Sequence, residues 1–373
     1  MSLKSRVCDI LGIEYPIVLA GMGGASNPKL AAAVSNAGGL GVLGAAGCGP
    51  DMLRQWISET REMTDKPFGV DTLLPASVRR GKNIATSDGE SPMDKLGDYK
   101  QFASEFMAQE GLELPPQAGT APSGNQRVTF SKEFFEEQMA VIVEEKVPVY
   151  AAGLGNPGPW MEDFRRNGTK VMAVVGAVRH ARQVATSGLD IIVAQGHDAG
   201  GHNSPVGTMA LIPQVVDALG GDIPVLGAGG ITDGRGVAAA MMLGAEGAWV
   251  GSAFLAAEES GIQDFQRQAI VDATEEGTTI SRSVTGKPAR IIRSKWTQAW
   301  ENAEIEPLPM PFQGMISGPV MQAANRAGRQ DINPGFAGQG IGMIGAVRPA
   351  AEIFEDLVKG AERTLSNAGR FVS

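Results

Sequence analysis

The sequence predicts an α/β fold, a (β/α)8 TIM barrel with an insertion after strand three and a C-terminal helical extension. Eight short apolar runs recur along the chain, each followed by a turn and most then by a segment with helical periodicity. The composition agrees, because 50 glycines and an aromatic content of 6% suit many tight turns between short strands and alanine-rich helices. Eight such strands can close into a barrel.

The first three strands and their helices are predicted from apolar runs and helix-start signals. A helix is expected from Asn27 and Pro28 to Asn36, and another follows Pro50. In order, the elements are strand 17–20, helix 27–36, strand 40–43, helix 51–63 and strand 68–73.

The pattern then breaks over residues 75–130, which carry charges, prolines and little apolar periodicity. We interpret this segment as an insertion that covers or narrows the mouth of the barrel.

The alternation resumes after the insertion and continues to the eighth strand. The predicted order is helix 131–146, strand 149–152, helix 157–167, strand 170–174, a helix that contains Arg179 and His180, strand 191–194, helix 213–219, strand 224–228 and strand 247–250. Residues 1–74 and 131–262 therefore form the predicted barrel. Residues 263–373 form the predicted helical extension near its mouth.

The overall charge limits the classes of partner. A net charge of −9 disfavours nucleic acid and anionic membrane surfaces, so we expect a small-molecule substrate. Cys8 and Cys48 lie in no pattern typical of disulfides or metal sites, and no apolar run of ~18 residues could span a bilayer. We expect a cytoplasmic protein; the sequence leaves homo-oligomerisation open.

Glycine-rich loops follow strands seven and eight, where barrel enzymes commonly bind phosphate groups. Gly229 and Gly230 follow strand seven, and Gly251 and Ser252 follow strand eight. Without Cβ atoms in the way, their backbone N–H groups can approach an anion. A single Gly-Gly pair could equally be a tight turn, but two such loops on adjacent final strands favour a phosphate cradle.

The loop after strand six contains two of the three histidines, His197 and His202. Histidine exchanges protons near neutral pH, so a histidine at the barrel mouth is a candidate acid or base. Either one could instead hydrogen-bond its own loop. His197, Asp198 and His202 could also bind a metal, but further strong ligands are missing nearby, so we expect no metal site. His180 lies on a helix and is interpreted as structural or solvated.

The segment 153–158 matches the G-x-G-x-x-G dinucleotide fingerprint. Pro157 falls inside the fingerprint and no acidic residue ends the following strand, so we interpret it as the loop of strand four.

With these motifs in view, the chain resembles the nitronate monooxygenase family, formerly called 2-nitropropane dioxygenases, which is related to flavin-dependent enoyl-ACP reductases and NADH:quinone reductases. The resemblance spans nearly the whole chain and is carried by segments 31–41, 66–70, 195–202, 227–231 and 251–254.

The resemblance implies FMN at the barrel mouth. It implies Ala20, Gly21 and Met22 beneath the isoalloxazine ring and Gln195 near it. It implies the phosphate on Gly229, Gly230, Gly251 and Ser252. Segment 337–340 resembles a family segment that returns to the flavin, which adds Gln339. The remaining implied contacts to the cofactor are Asp71, Gly200, Gly201 and Ala228.

The resemblance also implies that His202 is the catalytic base, which takes the α-proton of a nitroalkane before the nitronate is oxidised by FMN and dioxygen. Two departures bear on this. Asp71 stands where the family usually has Asn, and the segment from Asn203 to Gly207 after the histidine is longer than usual. His197 could be a second substrate contact or a satisfied loop residue.

Three functions follow from these observations. The first is oxidation of alkyl nitronates to a carbonyl compound and nitrite. An NAD(P)H-dependent FMN reductase of quinones or enoyl thioesters is the alternative on the same barrel, because fold alone does not fix function. A non-catalytic flavin-binding protein is disfavoured by Gln195 and His202 in the mouth loop.

Overall fold

The computed structural model describes residues 3–74, 96–113 and 131–371. Their strands, numbered along the chain, are β1 (Ile17–Leu19), β2 (Gly41–Gly44), β3 (Phe68–Leu73), β4 (Val149–Leu154), β5 (Lys170–Val175), β6 (Ile191–Gln195), β7 (Gly201–His202), β8 (Val225–Ala228), β9 (Ala248–Val250), β10 (Thr278–Ser281) and β11 (Ala289–Ile292). Eight of them, all except β7, β10 and β11, form one parallel sheet in the order β1-β9-β8-β6-β5-β4-β3-β2.

The sheet closes into a barrel between β1 and the residue before β2. The backbone N–H of Leu19 donates to the carbonyl of Leu40 at 2.9 Å, and the N–H of Leu40 donates to the carbonyl of Ile17 at 3.1 Å. The predicted α/β barrel is confirmed, and its eight strands are those that the apolar runs indicated.

The helices, numbered along the described chain, are α1 (Arg6–Leu11), α2 (Pro28–Asn36), α3 (Pro50–Met63), α4 (Leu96–Gln109), α5 (Lys132–Glu144), α6 (Met161–Asn167), α7 (Val178–Ala185), α8 (Thr208–Leu219), α9 (Gly234–Met242), α10 (Ser252–Leu255), α11 (Asp264–Asp272), α12 (Lys295–Glu301), α13 (Gln313–Arg326) and α14 (Ala350–Ser366). The start signal at Asn27 is correct, because its side chain accepts from the N–H of Leu30 at 2.9 Å.

The predicted start of the helix after β6 is wrong. Helix α8 begins at Thr208, so Pro213 lies inside the helix rather than at its first turn. The backbone N–H of Thr208 donates to the Asp198 carboxylate at 2.9 Å, which satisfies one of the unpaired donors of the first turn. A side chain ten residues earlier in the sequence fixes this helix start, and no local pattern shows it.

The barrel strands divide their side chains between two buried layers, as the two-residue period of a strand requires. On β1, Val18 packs into the barrel interior, whereas Ile17 and Leu19 pack against the surrounding helices. Helix α1 adds Val7 and Leu11 to the interior cluster. The apolar runs are continuous because both faces of each strand are buried.

Helix α14 belongs to the ring of barrel helices. It packs against α9 and α2, and a Cβ on Gly234 would lie 2.5 Å from the Cα of Gly360. Phe354 and Leu357 join the cluster between the sheet and the helices. The predicted extension therefore divides: residues 350–366 complete the barrel, and the segment before them is inserted between β9 and its helix.

The inserted segment contains strands as well as the expected helices. Strands β10 and β11 form an antiparallel hairpin, and β11 also pairs with β7, with Ala289 opposite His202. The histidine loop is thereby tied to a part of the chain more than 80 residues further on.

Part of the insertion at 75–130 is described. Helix α4 packs on the segment inserted after β9, with Phe106 in edge contact with Trp296 and Phe102 against Trp300. Residues 75–95 and 114–130 of the insertion lie outside the described residues, so the idea that the insertion covers or narrows the mouth stays a prediction.

The described residues contain neither a membrane-spanning helix nor a cluster of metal ligands. None of the helices in 3–74, 96–113 and 131–371 has the length and apolarity needed to cross a membrane. Within the same ranges, no group of three or more His, Cys, Asp or Glu side chains is arranged to hold a metal ion.

Candidate active site

A cavity of about 1020 Å³ lies at the carboxyl ends of the barrel strands. Pockets for one drug-sized ligand usually measure roughly 300–1,000 Å³, so this cavity can hold a cofactor together with a small substrate. It is lined by all but one of the sequence-predicted site residues: Ala20, Gly21, Met22, Asp71, Gln195, Gly200, Gly201, His202, Ala228, Gly229, Gly230, Gly251 and Ser252.

Gln339 is the exception, because it does not line the cavity. Its side chain is exposed, while its backbone N–H donates to the carbonyl of Asp198 at 2.9 Å. The neighbouring Gly338 and Gly340 line the cavity instead. The segment does return to the site, but its backbone rather than the Gln339 side chain faces the cavity.

The end of β1 forms one wall of the cavity and is held in shape by Ser26. The Ser26 hydroxyl donates to the carbonyl of Ala20 at 2.8 Å and accepts from the N–H of Met22 at 3.2 Å. This fixes the tripeptide from Ala20 to Met22, where the sequence placed the underside of a flavin ring.

Asp71 lies at the end of β3 between two glycines. A Cβ on Gly21 would lie 2.7 Å from Oδ2 of Asp71, and a Cβ on Gly153 would lie 3.1 Å from the same oxygen. The carboxyl is buried, and desolvation raises its pKa well above the usual value, although a hydrogen bond from the N–H of Gly153 opposes this. Burial therefore favours the protonated, neutral form of the Asp71 carboxyl.

The ends of β8 and β9 contain the residues that the sequence predicts as a phosphate cradle. Gly229 and Gly230 have φ of 103° and 71°, a conformation that side chains disfavour, and a Cβ on Gly230 would lie 3.2 Å from Asp198. The hydroxyl of Ser252 accepts from the N–H of Gly338 at 2.8 Å and keeps its own proton to donate. Backbone N–H groups and one hydroxyl suit a phosphate monoester.

His202 lines the cavity from β7, and both its backbone and its ring make hydrogen bonds. The side-chain amide of Gln195 donates to the carbonyl of His202 at 2.9 Å, and Nε2 of His202 lies 2.8 Å from the hydroxyl of Thr285. Burial, reinforced by the positive charge of Lys287, lowers the pKa of His202 to about 4. The imidazole is therefore neutral at physiological pH and able to accept a proton.

His197 hydrogen-bonds its own loop and is absent from the cavity lining. Its Nδ1 lies 3.0 Å from the carbonyl of Ser204, so Nδ1 carries the proton. Asn203 donates to the carbonyl of His197 at 3.0 Å. The longer segment after His202 thus folds back onto His197, and this contact gives His197 a role in loop structure.

The motif at residues 153–158 forms the loop after β4, as interpreted from the sequence. Asn156 accepts from the N–H of Gly158 and from the hydroxyl of Ser187, both at 2.9 Å. A short 3-10 turn, Gly158–Trp160, follows rather than a long helix that could face a pyrophosphate.

The segment inserted after β9 contributes cavity residues that the sequence did not point to. Val284, Lys287 and Pro288 come from the turn between β10 and β11, and Met321 and Phe336 from beyond it. His180, interpreted from the sequence as structural or solvated, also lines the rim. Of the Lys and Arg side chains in the described ranges, only Lys287 lines this cavity.

Comparison with known proteins places these features in a family. The profile of the family described as "Nitronate monooxygenase" matches residues 4–360. A Staphylococcus saprophyticus protein named "Probable nitronate monooxygenase" is 31% identical, covering 98% of this chain and 100% of its own.

Two solved structures are similar to this chain in both sequence and fold. Nitroalkane oxidase from Streptomyces ansochromogenes is 31% identical with a TM-score of 0.79, covering 97% of this chain and 99% of its own. FabK from Thermotoga maritima is 32% identical with a TM-score of 0.74, and the match covers 99% of this chain and 100% of the FabK chain. The chain belongs to the nitronate monooxygenase family and is a flavin-dependent oxidoreductase.

Proposed function

We propose that this protein is an FMN-dependent nitronate monooxygenase that oxidises alkyl nitronates with dioxygen to a carbonyl compound and nitrite. Nitroalkanes whose α-proton His202 can remove are a second class of substrate. The observation that carries the proposal is the lining of one cavity, which brings His202 and Lys287 together with the glycines that follow β8 and β9.

The cavity fits FMN in two respects. The cradle from Gly229, Gly230, Gly251 and Ser252 can accept its phosphate, and the open wall along β1 leaves room for a flat ring. A Cβ on Gly23 or Gly24 would meet nothing within 4 Å, so this wall faces open space. When bound, FMN supplies the electron acceptor for the nitronate and the route of those electrons to dioxygen.

The charges of the cavity favour an anionic substrate. Within the described lining, Asp71 is the one carboxyl group and Lys287 is the one Lys or Arg side chain. Burial favours the neutral form of Asp71, so the charges that these lining residues supply favour an anion such as a nitronate over a cation. This charge balance supports nitronate oxidation over reactions of neutral substrates.

His202 acts on the proton of the substrate. Its neutral imidazole can accept the α-proton of a nitroalkane, and the anion formed then raises the pKa of the imidazole, because an opposite charge favours the protonated form. With a preformed nitronate no proton has to be removed. The low pKa of His202 in the free protein therefore makes nitronates the better substrates.

The similarity to FabK favours a second candidate, an NAD(P)H-dependent FMN reductase of quinones or enoyl thioesters. The two candidates differ in what reduces the bound flavin. In the first it is the nitronate itself; in the second it is a pyridine nucleotide.

Anaerobic mixing separates the candidates. The purified holoprotein is mixed with propionate 3-nitronate or 2-nitropropane nitronate, and separately with NADH and NADPH, while the absorbance of the oxidised flavin is followed. We expect the absorbance to fall with a nitronate alone. A fall only with a pyridine nucleotide would instead assign the protein to the reductases.

A further inference from the structure

The two ring nitrogens of His202 have different surroundings. Nε2 lies 2.8 Å from the hydroxyl of Thr285. No side chain or backbone group in the described part of the chain makes a hydrogen bond to Nδ1, and the residue lines the cavity. Which nitrogen carries the proton of the neutral ring decides which one can accept a proton from a substrate.

The neighbours of Thr285 restrict the direction of its hydrogen bonds. Its hydroxyl oxygen lies 3.3 Å from the backbone nitrogen of Lys287 and 3.3 Å from the backbone carbonyl oxygen of Lys287. The N–H can only donate and the carbonyl can only accept. A hydroxyl has one proton and two lone pairs.

One arrangement satisfies all three contacts. The Thr285 hydroxyl donates its proton to the carbonyl of Lys287, and its lone pairs accept the N–H of Lys287 and a proton on Nε2 of His202. In the opposite arrangement, with Thr285 donating to Nε2, the Thr285 hydroxyl could no longer donate to the carbonyl of Lys287, and one of the three contacts would be lost. The backbone of the β10–β11 turn therefore selects the tautomer of the histidine.

The backbone of His202 is held from two sides. The carbonyl of His202 accepts from Gln195 at 2.9 Å, and β7 pairs with β11 on its other side. Thr285 lies in the turn that precedes β11, so the hydroxyl and the histidine backbone are positioned by the same hairpin.

We propose that Thr285 is a positioning residue that holds neutral His202 in its Nε2–H tautomer, so that Nδ1 is the nitrogen that accepts the substrate α-proton. In that step the C–H bond breaks and an N–H bond forms at Nδ1. The electron pair of the C–H bond stays on the substrate, which becomes the nitronate, and the imidazolium keeps its hydrogen bond to Thr285. The proton-transfer part rests on the proposed function; the tautomer does not.

The tautomer can be measured by NMR on the holoprotein labelled with ¹⁵N-histidine. The chain has three histidines, so His202→Asn identifies the signals of His202 by their loss. At pH 7 we expect a protonated Nε2 and a lone-pair Nδ1. A spectrum with a protonated Nδ1 would overturn the proposal.

Two variants test the role of Thr285. Thr285→Val removes the hydroxyl at nearly constant volume, and we expect a mixture of tautomers. Relative to its kcat/KM for a preformed nitronate, its kcat/KM for the neutral nitroalkane should fall about tenfold, because part of the general-base contribution is lost. Thr285→Ser should restore both the tautomer and this ratio. An unchanged tautomer and ratio in the valine variant would refute the positioning role.

The test separates this proposal from the proposed function. A wild-type flavin that no nitronate reduces, together with a protonated Nε2, would overturn nitronate oxidation and support the tautomer assignment. A protonated Nδ1 in a protein that does oxidise nitronates would overturn the tautomer assignment and support nitronate oxidation.

Discussion

The guanidinium of Arg290 donates two hydrogen bonds to the carbonyl oxygen of His197, from Nε at 3.3 Å and from Nη2 at 3.1 Å. Arg290 is 4% exposed, and its third contact is the hydroxyl of Thr278 at 3.2 Å. A buried cation on the hairpin thus holds the backbone of the loop that carries His202.

We predict that Arg290→Met lowers the free energy of unfolding by about 2–3 kcal/mol, because hydrogen bonds to a charged group contribute ~1.5–3 kcal/mol each and part of the desolvation cost is recovered. Urea unfolding measures this. Arg293→Met is the control, because Arg293 is exposed and its contact with Glu301 is at 3.8 Å. Equal losses in the two variants would contradict the clamping role.

The variant Asp71→Asn tests whether burial raises the pKa of the Asp71 carboxyl. Because the pKa of Asp71 is raised in the folded protein, its stabilising effect is complete below the pKa of the unfolded chain and is lost as the pH rises toward the folded value. Wild-type stability should therefore fall with rising pH in that window by up to about 1.4 kcal/mol per pH unit from this group.

Asn cannot ionise, so the variant should lack this dependence. Urea unfolding at pH 5 and pH 8 measures the free energy of unfolding of both proteins. The value for Asp71→Asn relative to the wild type should be higher at pH 8 than at pH 5. If the difference between the two proteins is the same at both pH values, Asp71 is not held neutral.

His202→Asn tests the base. We expect the variant to retain FMN and to lose about 10²-fold or more in kcat/KM for a neutral nitroalkane, while its turnover of a preformed nitronate changes far less. His197→Asn changes the same loop outside the cavity lining and should keep the wild-type ratio of the two activities. Full activity of His202→Asn on both substrates would exclude the base role.

The wild-type pH profile gives a second check on His202. Because its pKa is lowered to about 4, kcat/KM for the neutral nitroalkane should stay level near neutral pH and fall as the pH decreases through about 4. A fall centred near the ordinary histidine value would mean that another group controls the step.

Gly251→Ala tests the phosphate cradle. Its added methyl would contact Met22 and Ala20 at 3.4 and 3.5 Å, which the fold tolerates, but would stand on the surface expected to receive the phosphate. We expect the Kd for FMN to rise about tenfold or more, a loss of about 1.4 kcal/mol. Fluorescence titration of the flavin-free protein measures it. Gly314→Ala, on an exposed helix position with open space around it, is the control.

The sequence predicted the barrel because its strands are buried on both faces and therefore appear as continuous apolar runs. It predicted the cavity lining near β1, β6, β8 and β9 because site residues of a barrel directly follow its strands. Gln339 is the one predicted site residue outside the cavity lining, since a local motif cannot show whether the backbone or the side chain faces a cavity.

The partners of His202 could not be predicted in the same way. The histidine strand β7 pairs with the hairpin that carries Thr285, Lys287 and Arg290. Because β7 has only two residues, its sequence shows no alternating pattern that would predict this pairing. One signal was present: a charged Arg290 interrupts the apolar run 289–292, and a buried arginine requires acceptors.

The residues of the cradle and the residues that contact the proposed base lie in different parts of the chain, so evolution can change one set without the other. The glycine cradle directly follows the barrel strands β8 and β9, whereas the residues that orient and charge the proposed base belong to the segment that contains the β10–β11 hairpin. Mutations or exchanges confined to that segment can alter reactivity and substrate range while the flavin cradle keeps its sequence. Related enzymes with different reactions on this barrel would then diverge first between the eighth strand and the last helix.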